Sequence, residues 1–422
     1  MRTFERTLSL LRPDDAERAV VLTGLGAALV ESGRLAEARA VLDQARRVAT
    51  QAGQEAALAH VLVPSLQLDL HLDPDGAVDR VEQALPDVRA ALAGDAAGLC
   101  RAWLLEATVH WHRARSAAAE RAWEQAAEAA RAAGDRRHLA QSLWWLASAA
   151  LWGPTPAREG IVRCRTYLAQ LGSTPTGQGV VQLHLAGLHA MSDDLPTARE
   201  LRARGTAILR EVGTTLPIVL AEPAALIAVL VEDFGAAERH LRGAFDALRG
   251  MGEQADLATC AAMLARVVAL QGSDVRGVPV PGFGRWDEVD EYLTTSRTSA
   301  GGQDLTARII GLGAQARADV ARDRVEEAVA LAADAVELAA RTDLVNQHGD
   351  ALADQACVLR TAGREDGAVA AARGARALYL GKGNVLAARQ CDRFLAATDQ
   401  TVTDWTDAAA FRSEQGPSAG VR

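Results

Sequence analysis

The chain has 422 residues, 49% of them apolar, and a formal charge of −9, so it can bury a sizeable core but has no basic surplus. That balance argues against a general nucleic-acid binder, which needs a positive face to displace counterions from phosphates. Residues 1–20 lack a charged head followed by an apolar stretch, and no apolar run reaches the roughly 20 residues of a membrane span; the expectation is a cytoplasmic protein with no membrane contact.

Much of the apolar fraction is alanine, which loses no side-chain entropy in a helix, and no strand is read anywhere. Residues 2–12 read as the second helix of a hairpin. The clearest complete unit follows, with Leu22, Leu25, Gly26 and Leu29, then Gly33, then Ala38, Leu42 and Ala45. The large residues of its first helix stand three and four apart, which places them on one face. Gly26 sits where another helix must approach closely, Gly33 ends the first helix, and Ala38 is the matching small contact on the second. The Ala38 position recurs at Ala77, Ala119, Ala157, Ala198, Ala237, Val289, Ala328 and Ala368, at spacings of 39, 42, 38, 41, 39, 52, 39 and 40. The long spacing contains an insertion: Gly272 and Gly284 both fit the turn position, and removing the 12 residues between them restores 40. A hairpin that cannot bury its apolar stripe alone does so by stacking on its neighbours.

The remaining features fall on this frame in chain order. Pro64 and Pro223 lie inside helices, where each removes a backbone hydrogen bond and bends the axis. Asp73-Pro74-Asp75-Gly76 has the look of a calcium loop, but its twelfth position is Ala84, where a bidentate Glu is needed, so it reads as an inter-helix turn. Six of the eight tryptophans fall between positions 103 and 152. The insertion 273–284, with Gly277, Pro279, Pro281, Gly282 and Gly284, is not helical and reads as a surface loop or as a lip over a groove. A capping helix over about 384–398 closes a solenoid of residues 1–398, and 399–422 reads as a polar, disordered tail.

This pattern of Leu, small, small, aromatic or Leu, then Ala resembles tetratricopeptide repeats, although its period exceeds the usual 34 residues. The resemblance is densest over 283–397, in Gly284-Arg285-Trp286-Asp287-Glu288, Arg341-Thr342-Asp343, Gly363-Arg364-Glu365-Asp366, Ala377-Leu378-Tyr379 and Lys382-Gly383-Asn384-Val385. That stretch is similar to the C-terminal repeat region of actinobacterial class III adenylate/guanylate cyclase–ATPase proteins and to the repeats of large ATP-binding LuxR-type regulators. The single lysine among 45 basic residues, Lys382, also points to a GC-rich, actinobacterial genome. The resemblance implies an all-α, right-handed solenoid of about nine tetratricopeptide-like hairpins with an inner groove. Counted from Ala107, the family's groove face carries Trp111, His112 and Thr108. In the next unit a strict count puts Trp145 at the small position; a shift of two puts Ala147 there and sends Trp144 and Trp152 to the groove. The same count adds Leu183, Met191, Leu226, Val229 and Leu230, whereas Trp103 and Trp123 fill the hairpin core.

No chemistry is read from the residues. His110-Trp111-His112 places two imidazoles about 200° apart around a helix, which forbids shared chelation, and no metal or cofactor is expected. Cys100, Cys164, Cys260, Cys357 and Cys391 stand singly, with no Cys-x-x-Cys pair. There is no Gly-x-Ser-x-Gly elbow, and Gly381-Lys382-Gly383 is not a phosphate-cradling P-loop. The sequence therefore reads as a non-catalytic scaffold or sensor that takes a protein, peptide, helix or apolar small ligand in its groove. The alternative is the regulatory repeat tail of a larger cyclase, ATPase or transcriptional regulator whose active or DNA-binding domain lies elsewhere.

Overall fold

A computed structural model describes residues 2–12, 17–213, 217–251, 254–274, 276–299 and 304–399. After α1 (Arg2–Leu10), helices pair as α2 and α3 (Glu17–Glu31, Leu35–Gln51), α4 and α5 (Glu55–Leu72, Pro74–Ala91), and α6 and α7 (Ala96–His112, Ser116–Ala133). The fourth to sixth pairs are α8 and α9 (Arg136–Trp152, Ala157–Leu171), α10 and α11 (Pro175–Met191, Leu195–Glu211), and α12 and α13 (Pro217–Leu230, Phe234–Met251). The last three are α14 and α15 (Ala255–Gln271, Trp286–Ser299), α16 and α17 (Leu305–Val320, Val325–Ala340), and α18 and α19 (Val345–Thr361, Glu365–Lys382), followed by α20 (Val385–Asp399). The described residues thus form nine stacked hairpins without a named strand: an all-α solenoid.

The recurring small residue explains the stacking. Ala38, Ala77, Ala119, Ala157, Ala198, Ala237, Val289, Ala328 and Ala368 are all fully buried, each within the first turns of its hairpin's second helix. At Gly26 an added Cβ would run into the side chain of Leu42 across the hairpin, so close backbone approach requires glycine there. Pro64 and Pro223 do lie inside α4 and α12. Asp73 is the N-cap of α5, its Oδ1 accepting the Gly76 amide at 3.0 Å.

The stack does not stay open. Its C-terminal helices return to the turns between the paired helices of the third to sixth hairpins. Asp343, between α17 and α18, accepts the Ser116 and Ala117 amides at the start of α7, at 2.6 and 2.7 Å. Lys382, fully buried at the end of α19, donates from Nζ to the carbonyls of Ala150, Gly153 and Thr155 at 2.8, 2.7 and 2.5 Å. Arg389 and Arg393 of α20 pair with Asp193 and Glu232. Part of the non-helical link between α14 and α15 also packs inward, while Val280, Pro281 and Gly282 stay exposed. Gly277 (φ +77°) is buried where a Cβ would meet the Cys357 Sγ and the Phe394 ring. The polar tail lies outside the described residues from 400 onward.

One buried acid gives the fold a pH dependence. Burial, with Asp256 and Asp304 adding to it, pushes Glu222 of α12 up to about 8 from 4.5. In the fold it therefore stays protonated over a range in which the unfolded chain ionises, so stability present below about 4.5 is lost as pH rises through about 8. Glu222→Gln is expected to match the native chain near pH 4.5 and to exceed it at pH 9 in thermal unfolding, the gap widening by roughly 1.4 kcal/mol per pH unit up to about pH 8 and levelling off above it. A gap that does not change with pH contradicts this reading.

Candidate functional site

The first helices of the third and fourth hairpins carry an unusual load of tryptophan. Trp103 and Trp111 on α6, and Trp144, Trp145 and Trp152 on α8, are all half-buried, whereas Trp123 on α7 is closed off in the core. The rings that meet are Trp111, Trp123 and Trp145. Trp123 stacks on Trp145 at 5.3 Å with 6° between planes, and Trp111 tilts against both, at 5.5 and 6.0 Å. Such offset and tilted contacts satisfy the ring quadrupoles better than a sandwich.

This arrangement keeps the two-residue shift, with Ala147 buried, but ties Trp111, expected in the groove, to the core ring of Trp123. Trp145 packs after all, because Ala147, one position beyond Leu146, leaves room for the hairpin to close while Trp145 turns toward the preceding hairpin. Trp152 lies seven residues on, on the same side of α8, against the main core cluster. Trp144 packs against the cluster of Val180, Leu183 and Leu209 in the next hairpin as well as against the main core cluster. No ring contact joins Trp111, Trp144 and Trp152, so they do not form one stacked patch. Beside Trp111, Thr108 Oγ1 donates to the Leu104 carbonyl at 2.9 Å, and the His112 ring Nδ1 lies 2.8 Å from the Thr108 carbonyl. His112 is exposed. Trp103 lies under the Arg89 guanidinium, 4.4 Å from its ring centre, and Arg89 also pairs with Glu106.

The groove expected further along is largely closed. Leu183 is fully buried against its own hairpin, where Gly179 and Gly205 let α10 and α11 approach and Leu209 seals the contact. It faces its partner helix, not a groove. Met191 is also fully buried, with the Asn346 amide 3.8 Å from its sulfur. Leu226 is half-buried over Gly187. The carbonyls of half-buried Val229 and buried Leu230 accept from Gln390 Nε2 at 3.1 and 3.2 Å. The side chains of Met191 and Leu230 join a cluster with Ala387, Ala388 and Cys391 of α20. These positions contact the chain itself, over sequence separations that no repeat count reveals.

The polar groups of the interior serve structure. Arg266 and Arg317 both donate to Asp354, at 2.9 and 2.6 Å, and the Tyr379 hydroxyl donates to Asp350 at 2.6 Å. Burial pushes Asp354 up, but the two guanidiniums outweigh it and hold the carboxyl below its usual range. All five cysteines are buried; burial pushes Cys100 up to about 11 and Cys164, Cys260 and Cys391 to about 12, far from a nucleophilic thiolate at neutral pH. Among the described residues no group of three or more His, Cys, Asp or Glu is placed to hold a metal ion, and no helix is long and apolar enough to cross a membrane.

Fold and surface together define a tetratricopeptide-like helical-repeat protein. No family model matches the chain, and no curated protein matches it in sequence. Among solved structures, a Rap protein complexed with competence and sporulation factor is similar over 89% of this chain and 100% of its own, at 12% identity and a TM-score of 0.62. The apo form of RapI (11% identity, 89% and 98% covered, TM-score 0.46) and the P58(IPK) TPR domain (12%, 90% and 99%, TM-score 0.22) are also matched.

Proposed function

We propose that the chain is a non-catalytic interaction scaffold that takes a peptide, a helix or an apolar ligand on the first-helix surface of its third and fourth hairpins. One observation carries this reading: α6 and α8 hold five half-buried tryptophans, and one of them, Trp111, is followed directly by the exposed His112. Half-buried indoles hold apolar area at the edge of water with little side-chain entropy to lose, the profile of binding hot spots. The Rap structure, complexed with a factor, supports a repeat scaffold of this architecture as a binder. The reading requires no cofactor and no nucleic acid.

The test is a panel of synthetic amphipathic and extended peptides, followed by quenching of the intrinsic tryptophan fluorescence. Trp111→Ala and His112→Ala are each expected to weaken any captured peptide about tenfold or more while the far-UV circular dichroism is unchanged. Val162→Ala, on the exposed face of α9, is the control expected to leave binding intact. Equal capture by the native chain and Trp111→Ala sinks the proposal.

A further inference from the structure

We infer that α18–α20 form a reversible clasp, and that the first-helix surface of the fifth and sixth hairpins beneath α20 is a seat for an amphipathic helix, filled here by the chain's own. The clasp stands on the contacts alone; that a partner helix uses the seat rests on the scaffold reading above.

The seam differs in composition from the rest of the solenoid. Successive hairpins meet largely through alanine and aliphatic side chains, as in the cluster of Ala225, Ala237, Leu241, Leu264 and Ala265, with the Arg266–Asp354–Arg317 network the buried polar junction among the seventh to ninth. The return of α18–α20 combines an apolar contact of Ala387, Ala388 and Cys391 with Met191 and Leu230 and the polar contacts of Asp343, Asn346, Lys382, Arg389, Gln390 and Arg393. Polar groups regain water when such a seam parts, whereas an apolar junction loses its driving force; separable interfaces are accordingly the more polar ones. Lys382 shows this best. Its three acceptors are neutral carbonyls, so closure strips water from an ammonium without a carboxylate at bonding distance to offset the loss.

The clasp also completes helices that lack caps of their own. No side chain from α7's own N-cap position bonds its first amides, and Asp343 supplies that bond from 227 positions away. The carbonyls at the end of α8 receive Lys382 from 232 and 229 positions away. A carboxylate at a helix start and a cation at a helix end both suit the macrodipole.

A third observation is independent of these bonds. In the first and ninth hairpins the turn between helices uses a left-handed glycine, Gly33 or Gly363. In the third, fifth, sixth and eighth the left-handed residue is Ala114, Asp193, Glu232 or Asp323, at φ +52°, +66°, +62° and +61°. Side chains rarely adopt this conformation, yet Asp193 and Glu232 are the partners of Arg389 and Arg393. Glycine would relieve the backbone and delete the clasp; the sequence keeps the carboxylates.

The occupant defines the seat. Helix α20 presents Ala387, Cys391 and Phe394 to the core, a glutamine to the open carbonyls at the end of α12, and two arginines to the acidic turns. A partner fitting the seat is an amphipathic helix with small apolar residues on one face, flanked by a carboxamide and basic residues.

The test uses the full chain and a fluorescein-labelled synthetic peptide of residues 384–399. Asp193→Gly with Glu232→Gly removes both acidic anchors at positions where glycine suits the backbone, so folding is not at risk. Lys382→Gln removes the buried ammonium. Asp193→Cys with Arg389→Cys, joined by a bis-maleimide crosslinker that carries a reducible disulfide, locks the seam. The native chain is expected to bind the peptide weakly, both open variants at least tenfold more tightly, and the locked form not at all until reduced. Amide hydrogen exchange in 385–399 should quicken in the open variants while α10 and α14 stay protected. The clasp is overturned if 385–399 exchanges only together with those core helices, or if peptide affinity is the same in all four proteins. A clasp that opens and takes the peptide while Trp111→Ala leaves binding of panel peptides unchanged refutes the tryptophan surface and leaves the clasp standing.

Discussion

Trp123→Ala is expected to destabilise the protein by roughly 3–5 kcal/mol in denaturant unfolding followed by circular dichroism. The ring is almost wholly buried, stacks face-on against Trp145 and meets Trp111 at its edge, so truncation removes a large apolar area and leaves a cavity between the third and fourth hairpins. Rigid helices on either side limit how far that cavity can collapse. Trp111→Ala is expected to cost less, about 1–2 kcal/mol, because half of that ring already faces outward and mainly its two ring contacts are lost. The contact with Trp123 and Trp145 makes this cost larger than that of a groove residue without ring partners. Losses of equal size for the two substitutions contradict the placement of Trp123 inside and Trp111 at the margin.

Asp354→Ala is expected to be comparably severe, about 3–5 kcal/mol, for a different reason. Asp354 is the shared acceptor of Arg266 and Arg317, and none of the three side chains has appreciable access to water. Removing the carboxylate leaves two guanidiniums close together in the interior; their remaining partners are Asp350 for Arg266, and Ser273 and the Cys357 sulfur for Arg317. Asp354→Asn, which keeps the shape and one acceptor oxygen, should fall between. The triple replacement of Arg266, Arg317 and Asp354 by Leu or Met should recover part of the loss, since buried ion networks add less than their removal in part suggests. Denaturation midpoints for the set check the order; a harmless Asp354→Ala removes the argument.

How much was legible in the sequence follows from how far apart the contacting residues are. The nine small residues from Ala38 to Ala368 could be followed because each makes its contact within its own hairpin, a few tens of residues from its partner. The helix over 384–398 was legible for the same reason, from its local pattern, and α20 spans Val385–Asp399. What could not be read was where α20 goes. Met191, Val229 and Leu230 have the apolar character of a groove surface, and the residues that cover or bond them stand 155 to 161 positions later. Lys382 was conspicuous as the lone lysine, but its carbonyl partners are more than 200 positions away and are backbone atoms, which leave no mark on composition. The two-residue offset of α8 was legible, since only Ala147 and not Trp145 is small enough for the hairpin contact, but the stacking of the Trp145 indole on Trp123 was not.

The most direct test of the account is hydrogen exchange on the full chain with and without a peptide captured from the synthetic panel. Slowed exchange concentrated in 96–112 and 136–152, with the second helices α9 and α11 unchanged, is the expected result. Slowing confined to the outer helices, or capture unaffected by Trp111→Ala, would contradict a binding surface built on the tryptophans of α6 and α8.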